Sequence, residues 1–239
     1  MKKIAILIFL SLSLLHAQSR PMEGVHLKIG TSTYETGQHG EYLVILLDEL
    51  SNKLGFTYDY LYIPPSRLSV MGDEGSIDGD ILRISTYGDK HPNLIKVPTS
   101  YMNHRILVYC KSPEISVHSW EEIRDKGYTI SIRRGVSAFE KPATLYVDEQ
   151  RILRVNDDNI GIKMAGAERV DLAMISNLAL DVLENSMKEA QLYLAGEIPS
   201  DTLHLYLHKT KAEYVPIIDR AIQELEEEGI LEKFRPKYE

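Results

Sequence analysis

The chain has 239 residues, of which 44% are hydrophobic and 26% are charged, a balance typical of a soluble globular protein. Its net charge of −8, without any cluster of lysine and arginine, argues against nucleic-acid binding. The length is sufficient for one large domain or two small ones, and outside the N-terminus no stretch approaches a membrane span.

The first 19 residues have the pattern of a secretory signal peptide. Lys2 and Lys3 precede an apolar stretch over residues 4–15, and cleavage fits after either Ala17 or Ser19. We therefore expect a periplasmic protein that is exported through the inner membrane and cleaved.

The single cysteine, Cys110, excludes an internal disulfide. It ends an apolar run, RILVYC, and we expect it to be a buried small hydrophobic residue. The alternative, a catalytic thiol, lacks an assignable basic partner.

Hydrophobic periodicity predicts strands alternating with helices along the whole chain. The predicted strands cover residues 25–30, 56–63, 77–84, 94–97, 105–109, 129–132, 151–155, 170–175 and 203–207. The predicted helices cover 41–54, 157–164, 177–184 and 212–228, with further helix starts at Ser119 and Ser137. Residues 66–71, after a Pro-Pro pair, are predicted to form a turn. This alternation indicates an α/β fold with mainly parallel sheets.

Arg83 is unusual because it stands between Leu82 and Ile84 in an apolar strand. An arginine at a strand end of an α/β fold either pairs with a nearby acid or faces the crevice where ligands bind. Asp80 and Asp78 are the candidate acids. The residues alone leave both interpretations open.

A second candidate site follows strand 129–132, where Arg133, Arg134 and Gly135 lead to Ser137. A strand, a glycine turn and a helix start present backbone N–H groups and the positive end of the helix dipole to an anion. The two arginines either reinforce this corner or are simply solvated. In the loop 31–40, Tyr34 either stacks on a ligand or is an ordinary exposed tyrosine.

Five short motifs occur in the order found in a known family. They are LGF at 54–56, GSIDG at 75–79, WEEI at 120–123 with ISIRRGVS at 130–137, AERVDLA at 167–173, and EGIL at 228–231. Together they resemble the solute-binding proteins of family 3, the amino-acid-type substrate-binding proteins of ABC transporters. The resemblance covers nearly all of the mature chain.

This resemblance implies the type II periplasmic binding protein fold. That fold has two α/β lobes with mainly parallel sheets, helices on both faces and a ligand cleft between the lobes. Lobe one would be residues 22–107 plus 206–239, and lobe two residues 108–205. The hinge crossings would lie in the strands near 105–110 and 203–208, so that the lobes can close over a solute.

The resemblance also directs attention to the cleft. The family's carboxylate-binding arginine would fall at Lys90 and its ammonium-binding aspartate at Ser176, so both charged anchors are missing. Arg83 falls where the family often has a small residue facing the cleft. The candidate ligand-binding residues are Arg83, Ser85, Tyr34, Arg67, Tyr101, Arg134, Gly135, Ser137 and Ser176.

We therefore predict a non-catalytic protein that captures a small polar solute, anionic or amino-acid-like, for an inner-membrane ABC permease or a sensor. We expect no cofactor, no metal, no nucleic-acid partner and a monomer. The alternative is an exported enzyme on the same scaffold, similar to cyclohexadienyl dehydratase. No nucleophile–base or metal-ligand spacing stands out among the eight histidines, so binding without turnover is favoured.

Overall fold

A computed structural model of the chain describes residues 20–33 and 37–236, and both the predicted signal peptide and Tyr34 lie outside these residues. The strands are β1 (His26–Thr31), β2 (Thr57–Tyr62), β3 (Gly79–Ile84), β4 (Leu94–Lys96), β5 (Met102–Cys110), β6 (Ile130–Arg133), β7 (Ile152–Val155), β8 (Leu172–Ser176) and β9 (Tyr193–His208). The helices are α1 (Gln38–Leu54), α2 (Pro65–Glu74), α3 (Trp120–Lys126), α4 (Ser137–Tyr146), α5 (Asp158–Gly166), α6 (Leu180–Glu189) and α7 (Val215–Glu227). Short 3₁₀ helices cover Tyr87–Asp89, Glu149–Arg151, Asn177–Ala179, Lys209–Tyr214 and Leu231–Phe234.

The nine described strands form one hydrogen-bonded sheet in the order β2-β1-β3-β9-β5-β8-β6-β7, with β4 paired to β9. The outer parts are parallel, since β1 pairs parallel with β2 and β3, and β6 with β7 and β8. The central strands β5 and β9 are antiparallel to each other and to their other neighbours. The predicted α/β fold is confirmed, with a mixed sheet, because a chain that leaves one lobe on β5 and returns on β9 must reverse direction.

Two lobes share this sheet. Helices α1 and α7 cover the side with β1, β3 and β4, and their buried residues form one core around Leu46, Tyr206 and Ile222. The other side, with β6, β7 and β8, has a separate core around Val108 and Ile130 and a smaller one under α5 and α6. We call these sides lobe one and lobe two. Each lobe buries its own apolar residues and can therefore move as a unit.

Strands β5 and β9 carry the chain between the lobes, and the whole of β5 pairs with residues 193–203 of β9. Their register shifts where the β9 partner changes from Asp201, opposite His104, to Pro199, opposite Arg105, so that Ser200 is an extra residue. A bulge of this kind bends and twists a strand locally. The first part of β9, from Tyr193, was not predicted, because Gly196, Pro199 and Asp201 are residues typical of turns.

The predicted turn at 66–71 is wrong, because these residues belong to helix α2. Pro65 stands at the first position of the helix, where its missing N–H and fixed φ are compatible with helix geometry. Gly75 ends the helix in the left-handed conformation, with φ 72°. The prediction that Cys110 is a buried hydrophobic residue is confirmed, since it is 0% exposed.

Candidate ligand-binding cleft

A cavity of about 480 Å³ lies between the two lobes. Lobe one contributes residues at the carboxyl ends of β1, β2 and β3, and lobe two contributes the end of β6 and the starts of α4 and α5. In open α/β sheets ligands bind in the crevice at the carboxyl ends of the strands. The cavity has this location, and its volume lies in the range of small-molecule sites, roughly 300–1,000 Å³.

Arg83 lies on the lobe-one wall of the cavity and is also paired within its own lobe. Its Nε donates to Asp80 Oδ2 over 2.5 Å, and Arg83 and Asp80 are 5% and 1% exposed. The guanidinium carbon stands 4.3 Å from the centre of the Tyr87 ring, and Nη2 lies 3.4 Å from Ser69 Oγ. Arg83 therefore both pairs with a nearby acid and faces the cleft, which are the two interpretations that the sequence left open.

The start of α4 forms much of the lobe-two wall. Ser137, Ala138 and Phe139 line the cavity, and no side chain caps the first turn of the helix from Val136. Gly135 makes the preceding turn with φ 77°, and its N–H donates to Glu140 Oε1 over 3.1 Å. The uncapped first turn leaves N–H groups that can bind an anionic or carbonyl oxygen.

His104 and Ser176 form a neutral polar pair on the cavity wall near the strand crossing. The His104 Nε2 lies 3.0 Å from Ser176 Oγ, and that oxygen also accepts a hydrogen bond from Leu178 N over 3.2 Å. Burial lowers the pKa of His104 to about 4, against a smaller opposing effect of Asp201. The imidazole is therefore uncharged at neutral pH.

Arg133 and Asp158 bring opposite charges to the lobe-two wall. Their Nη1 and Oδ2 atoms are 3.5 Å apart, and Arg133 Nη2 also reaches the hydroxyl of Tyr62 in lobe one over 3.4 Å. Burial raises the pKa of Asp158, while the charge of Arg133 opposes the shift. Successive side chains of a strand point to opposite faces, so Arg133 enters the cavity whereas Arg134 is exposed beside the carbonyl of Arg154.

Of the nine predicted ligand-binding residues, three described ones line the cavity: Arg83, Ser137 and Ser176. Five lie outside it: Ser85, Arg67, Tyr101, Arg134 and Gly135. The ninth, Tyr34, lies outside the described residues.

The residues outside the cavity have other surroundings. Tyr101 is 1% exposed in the lobe-one core and donates its hydroxyl proton to the carbonyl of Ile81. Arg67 is exposed on α2, and the carbonyl of Ser85 accepts from the buried Tyr206 hydroxyl over 2.8 Å. The sequence analysis did not select His104 or Asp158, because no local motif distinguishes a cleft residue of either type.

Besides the contact between Arg133 and Tyr62, the two lobes touch at two further places around the cavity. The backbone N–H of Gln38, at the start of α1, donates to Asp181 Oδ2 of α6 over 2.6 Å. At the second place Gly135 packs so closely on Ser66 that a Cβ atom would overlap Ser66 Oγ. Glycine at 135 therefore permits the close approach of the lobes. The cavity is thus flanked by direct contacts between the two lobes.

No family model matches the chain. A relative from Shewanella oneidensis, described as an uncharacterized protein, is 21% identical over 199 residues, covering 82% of this chain and 75% of that protein. Among solved structures, an ancestral arginine-binding protein bound to arginine has a TM-score of 0.70 at 19% identity, covering 89% of this chain and 97% of that one. A histidine kinase sensor domain with similarity to periplasmic binding proteins has a TM-score of 0.73 at 15% identity, with coverage of 92% and 97%. The AvGluR1 ligand-binding domain in complex with methionine has a TM-score of 0.73 at 18% identity, again with coverage of 92% and 97%.

The chain has the two-lobed fold of the type II periplasmic binding proteins. The fold implied by the five motifs is thereby confirmed over most of the chain. The structural neighbours are binding proteins and the ligand-binding or sensor domains of receptors. In this periplasmic-binding-type fold the observed cavity occupies the cleft between the lobes, which is where the resemblance places the ligand.

Proposed function

We propose that this chain is an extracytoplasmic solute-binding protein that captures a small polar solute by closing its two lobes. The observation that carries the proposal is the cavity of about 480 Å³, which lies between the lobes and is lined by polar groups from both. Closure removes the solute from water and completes a site that neither lobe forms alone.

The proposed hinge is the bulge where β5 and β9 cross between the lobes. Its register shift at His104 and Ser200 supports lobe boundaries near residues 104 and 200, close to the 107 and 206 expected from the resemblance. Two crossing strands with a local irregularity allow the lobes to rotate with few changes of backbone angle. Lobe one then comprises residue 22 to the first crossing plus the C-terminal part, and lobe two the segment between.

An amino-acid-like solute is supported by the similar structures, since one is bound to arginine and another is in complex with methionine. The similar structures include a sensor domain, so the partner that receives the solute is either an ABC-type permease or a sensor. Both roles use the same property, a closed conformation that the solute stabilises.

The enzymatic alternative has one observation in its favour, the 3.0 Å contact between a serine and a histidine in the cleft. Activation of a serine requires a base with a pKa near the working pH and a third group that orients the base. His104 has a pKa of about 4, and its Nδ1 has no hydrogen-bond partner among the described residues. We therefore favour binding without turnover.

The proposed location is the periplasm. Within the described residues no helix has the length and apolar character needed to cross a membrane. The signal-peptide pattern of residues 1–19 supports export and cleavage. Mass spectrometry of a periplasmic extract should find a mature chain that begins just after Ala17 or Ser19, and retention of Met1 would contradict the proposal.

A thermal-shift screen over L-amino acids, dicarboxylates, oligopeptides and sugars tests the function. A ligand at one hundred times its Kd stabilises the folded state by about 2.7 kcal/mol, which raises the Tm of a chain of this size by roughly 5–10 °C. Any hit is then incubated with the protein and analysed by mass spectrometry, where unchanged solute supports binding and a new product supports the enzyme. No shift with any member of the panel would contradict the proposed function.

A further inference from the structure

A buried histidine lies beside the contact between the start of α1 and helix α6. His39 is the second residue of α1 and is 1% exposed. The residue before it, Gln38, donates its backbone N–H to Asp181 of lobe two over 2.6 Å. A Cβ atom at Gly37, one residue earlier, would stand 2.8 Å from the same carboxylate and 3.1 Å from Val182. The first turn of α1 is therefore in direct contact with lobe two.

Neither ring nitrogen of His39 has a hydrogen-bond partner among the described residues. Buried polar atoms are nearly always paired, so an unpaired buried histidine is an unusual feature of a folded protein. Such an imidazole accommodates a second proton poorly, because the resulting charge would lack both water and a hydrogen-bonded partner. The position adds to this penalty, since the positive end of the α1 dipole disfavours a cation in the first turn.

Two charged groups of the described residues act on the imidazole, Asp181 from α6 and Arg105 from β5. Burial lowers the pKa of His39, while the charge of Asp181 opposes the shift and that of Arg105 adds to it. Arg105 is itself paired with Glu197 of β9 over 2.9 Å. The uncharged imidazole is thus the form that fits the two lobes in contact, although Asp181 lies nearby.

We propose that His39 makes lobe closure sensitive to pH, with the neutral imidazole required for contact between the lobes and its protonation favouring their separation. The inference rests on the lobe movement of the proposed function and adds a form of regulation to it. When α6 moves away from the start of α1, water reaches the ring and the histidine regains its ordinary pKa of about 6.5. The closed form then has the lower pKa, so closure is favoured above pH 6.5 and becomes progressively less favourable between that value and the lower one.

The protonation of the open form limits the size of the effect. At pH 5 a histidine with an ordinary pKa is about 3% neutral, so a solute that binds only the closed form loses up to about thirtyfold in affinity between pH 8 and pH 5. His104 contributes little over this range, because its pKa is about 4. A protein with this property captures its solute near neutrality and releases it on acidification.

The first test measures the separation of the lobes in the mature protein without any solute. Val70→Cys on α2 and Leu145→Cys on α4 carry spin labels, since these side chains are 53% and 74% exposed on opposite lobes. Cys110 is 0% exposed and should stay unlabelled. Distances between the labels, measured by pulsed electron paramagnetic resonance, should include a larger fraction of long distances at pH 5 than at pH 8.

Variants of His39 show whether this residue is the titrating group. In His39→Gln the distances should be the same at both pH values. His39→Leu serves the same purpose if the glutamine variant does not fold, because the ring makes no hydrogen bond to a described residue that leucine would lose. His26→Gln is the matched control and should keep the pH response, since His26 pairs with Asp59 on the surface of lobe one and its side chain is 49% exposed.

The second test measures solute affinity by isothermal titration calorimetry at pH 8 and pH 5. The probe is the tightest-binding member of the thermal-shift panel that does not itself titrate in this range. Its affinity should fall between about threefold and thirtyfold at pH 5, and His39→Gln should abolish the fall.

Any of three results would overturn the inference. The label distances do not change with pH in the protein that retains His39, or the probe binds equally well at pH 5 and pH 8. In the third, the pH response persists in His39→Gln, which places the titrating group elsewhere, for example on Asp181. The distance measurement uses no solute, so its failure leaves solute binding standing. If no member of the panel binds, the proposed function fails and the distance measurement alone decides the inference.

Discussion

Replacing Arg83 by lysine tests how much this residue contributes to the stability of lobe one. Its guanidinium donates to Asp80 over 2.5 Å while the two side chains are 6% and 1% exposed, and it stacks on Tyr87 at 4.3 Å. Lysine lacks the planar group that makes both contacts in one position. In the variant we expect the carboxylate of Asp80 to lose the hydrogen bond from Arg83 at a buried position where water cannot replace it.

The expected loss follows from these contacts. A hydrogen bond to a charged group contributes about 1.5–3 kcal/mol, and a cation–π contact about 0.5–1 kcal/mol. Arg83→Lys should therefore lower the free energy of unfolding by roughly 2–4 kcal/mol. In a chain of this length that corresponds to a Tm lower by roughly 5–15 °C.

The assay is thermal and urea unfolding of the ligand-free protein, followed by circular dichroism. Asp80→Asn should destabilise the protein similarly, because it removes the other partner of the same pair. Arg220→Lys is the control, since Arg220 pairs with Glu224 on the surface with its own side chain 81% exposed, and it should leave Tm nearly unchanged. If Arg83→Lys leaves the Tm unchanged but lowers solute affinity by tenfold or more, Arg83 is a solute anchor and the structural reasoning is refuted.

Three further predictions concern the cleft and its closure. Because the pKa of His104 falls from 6.5 to about 4 on folding, the unfolded chain binds more protons between these values, so stability should rise with pH over that range and level off above it. Across this range the free energy of unfolding should change by about 3 kcal/mol. His104→Gln should remove this part of the pH dependence of urea unfolding, and an unchanged profile would contradict the lowered pKa of His104. Asp181→Ala removes the acceptor of the Gln38 N–H and should disfavour closure, seen as a larger radius of gyration in solution scattering, whereas identical scattering would show that this contact does not matter. Gly135→Ala introduces a Cβ that meets Ser66 and should weaken binding of any solute found in the screen, so an undiminished affinity would disprove tight contact there.

Much of the fold could be predicted from the sequence, because its elements are marked by local patterns. The leucine spacing in α1, the glycine at its end and the Ser119 cap of α3 each depend on residues within a few positions. The two failures have the same local origin, since Pro65 was interpreted as a break although it begins α2, and the turn residues of 193–202 concealed the start of β9.

Three cleft residues, Arg83, Ser137 and Ser176, were predictable because each lies at or near the end of a strand or the start of a helix in the sequence pattern. Local patterns could not determine that His104 would meet a serine 72 residues away. They also could not determine that Arg133, rather than Arg134, would enter the cavity beside Asp158. These contacts depend on which face of each strand meets the other lobe. That choice is made by the packing of the two lobes around β5 and β9, because only the tertiary structure brings distant strand ends to one crevice and removes them from water.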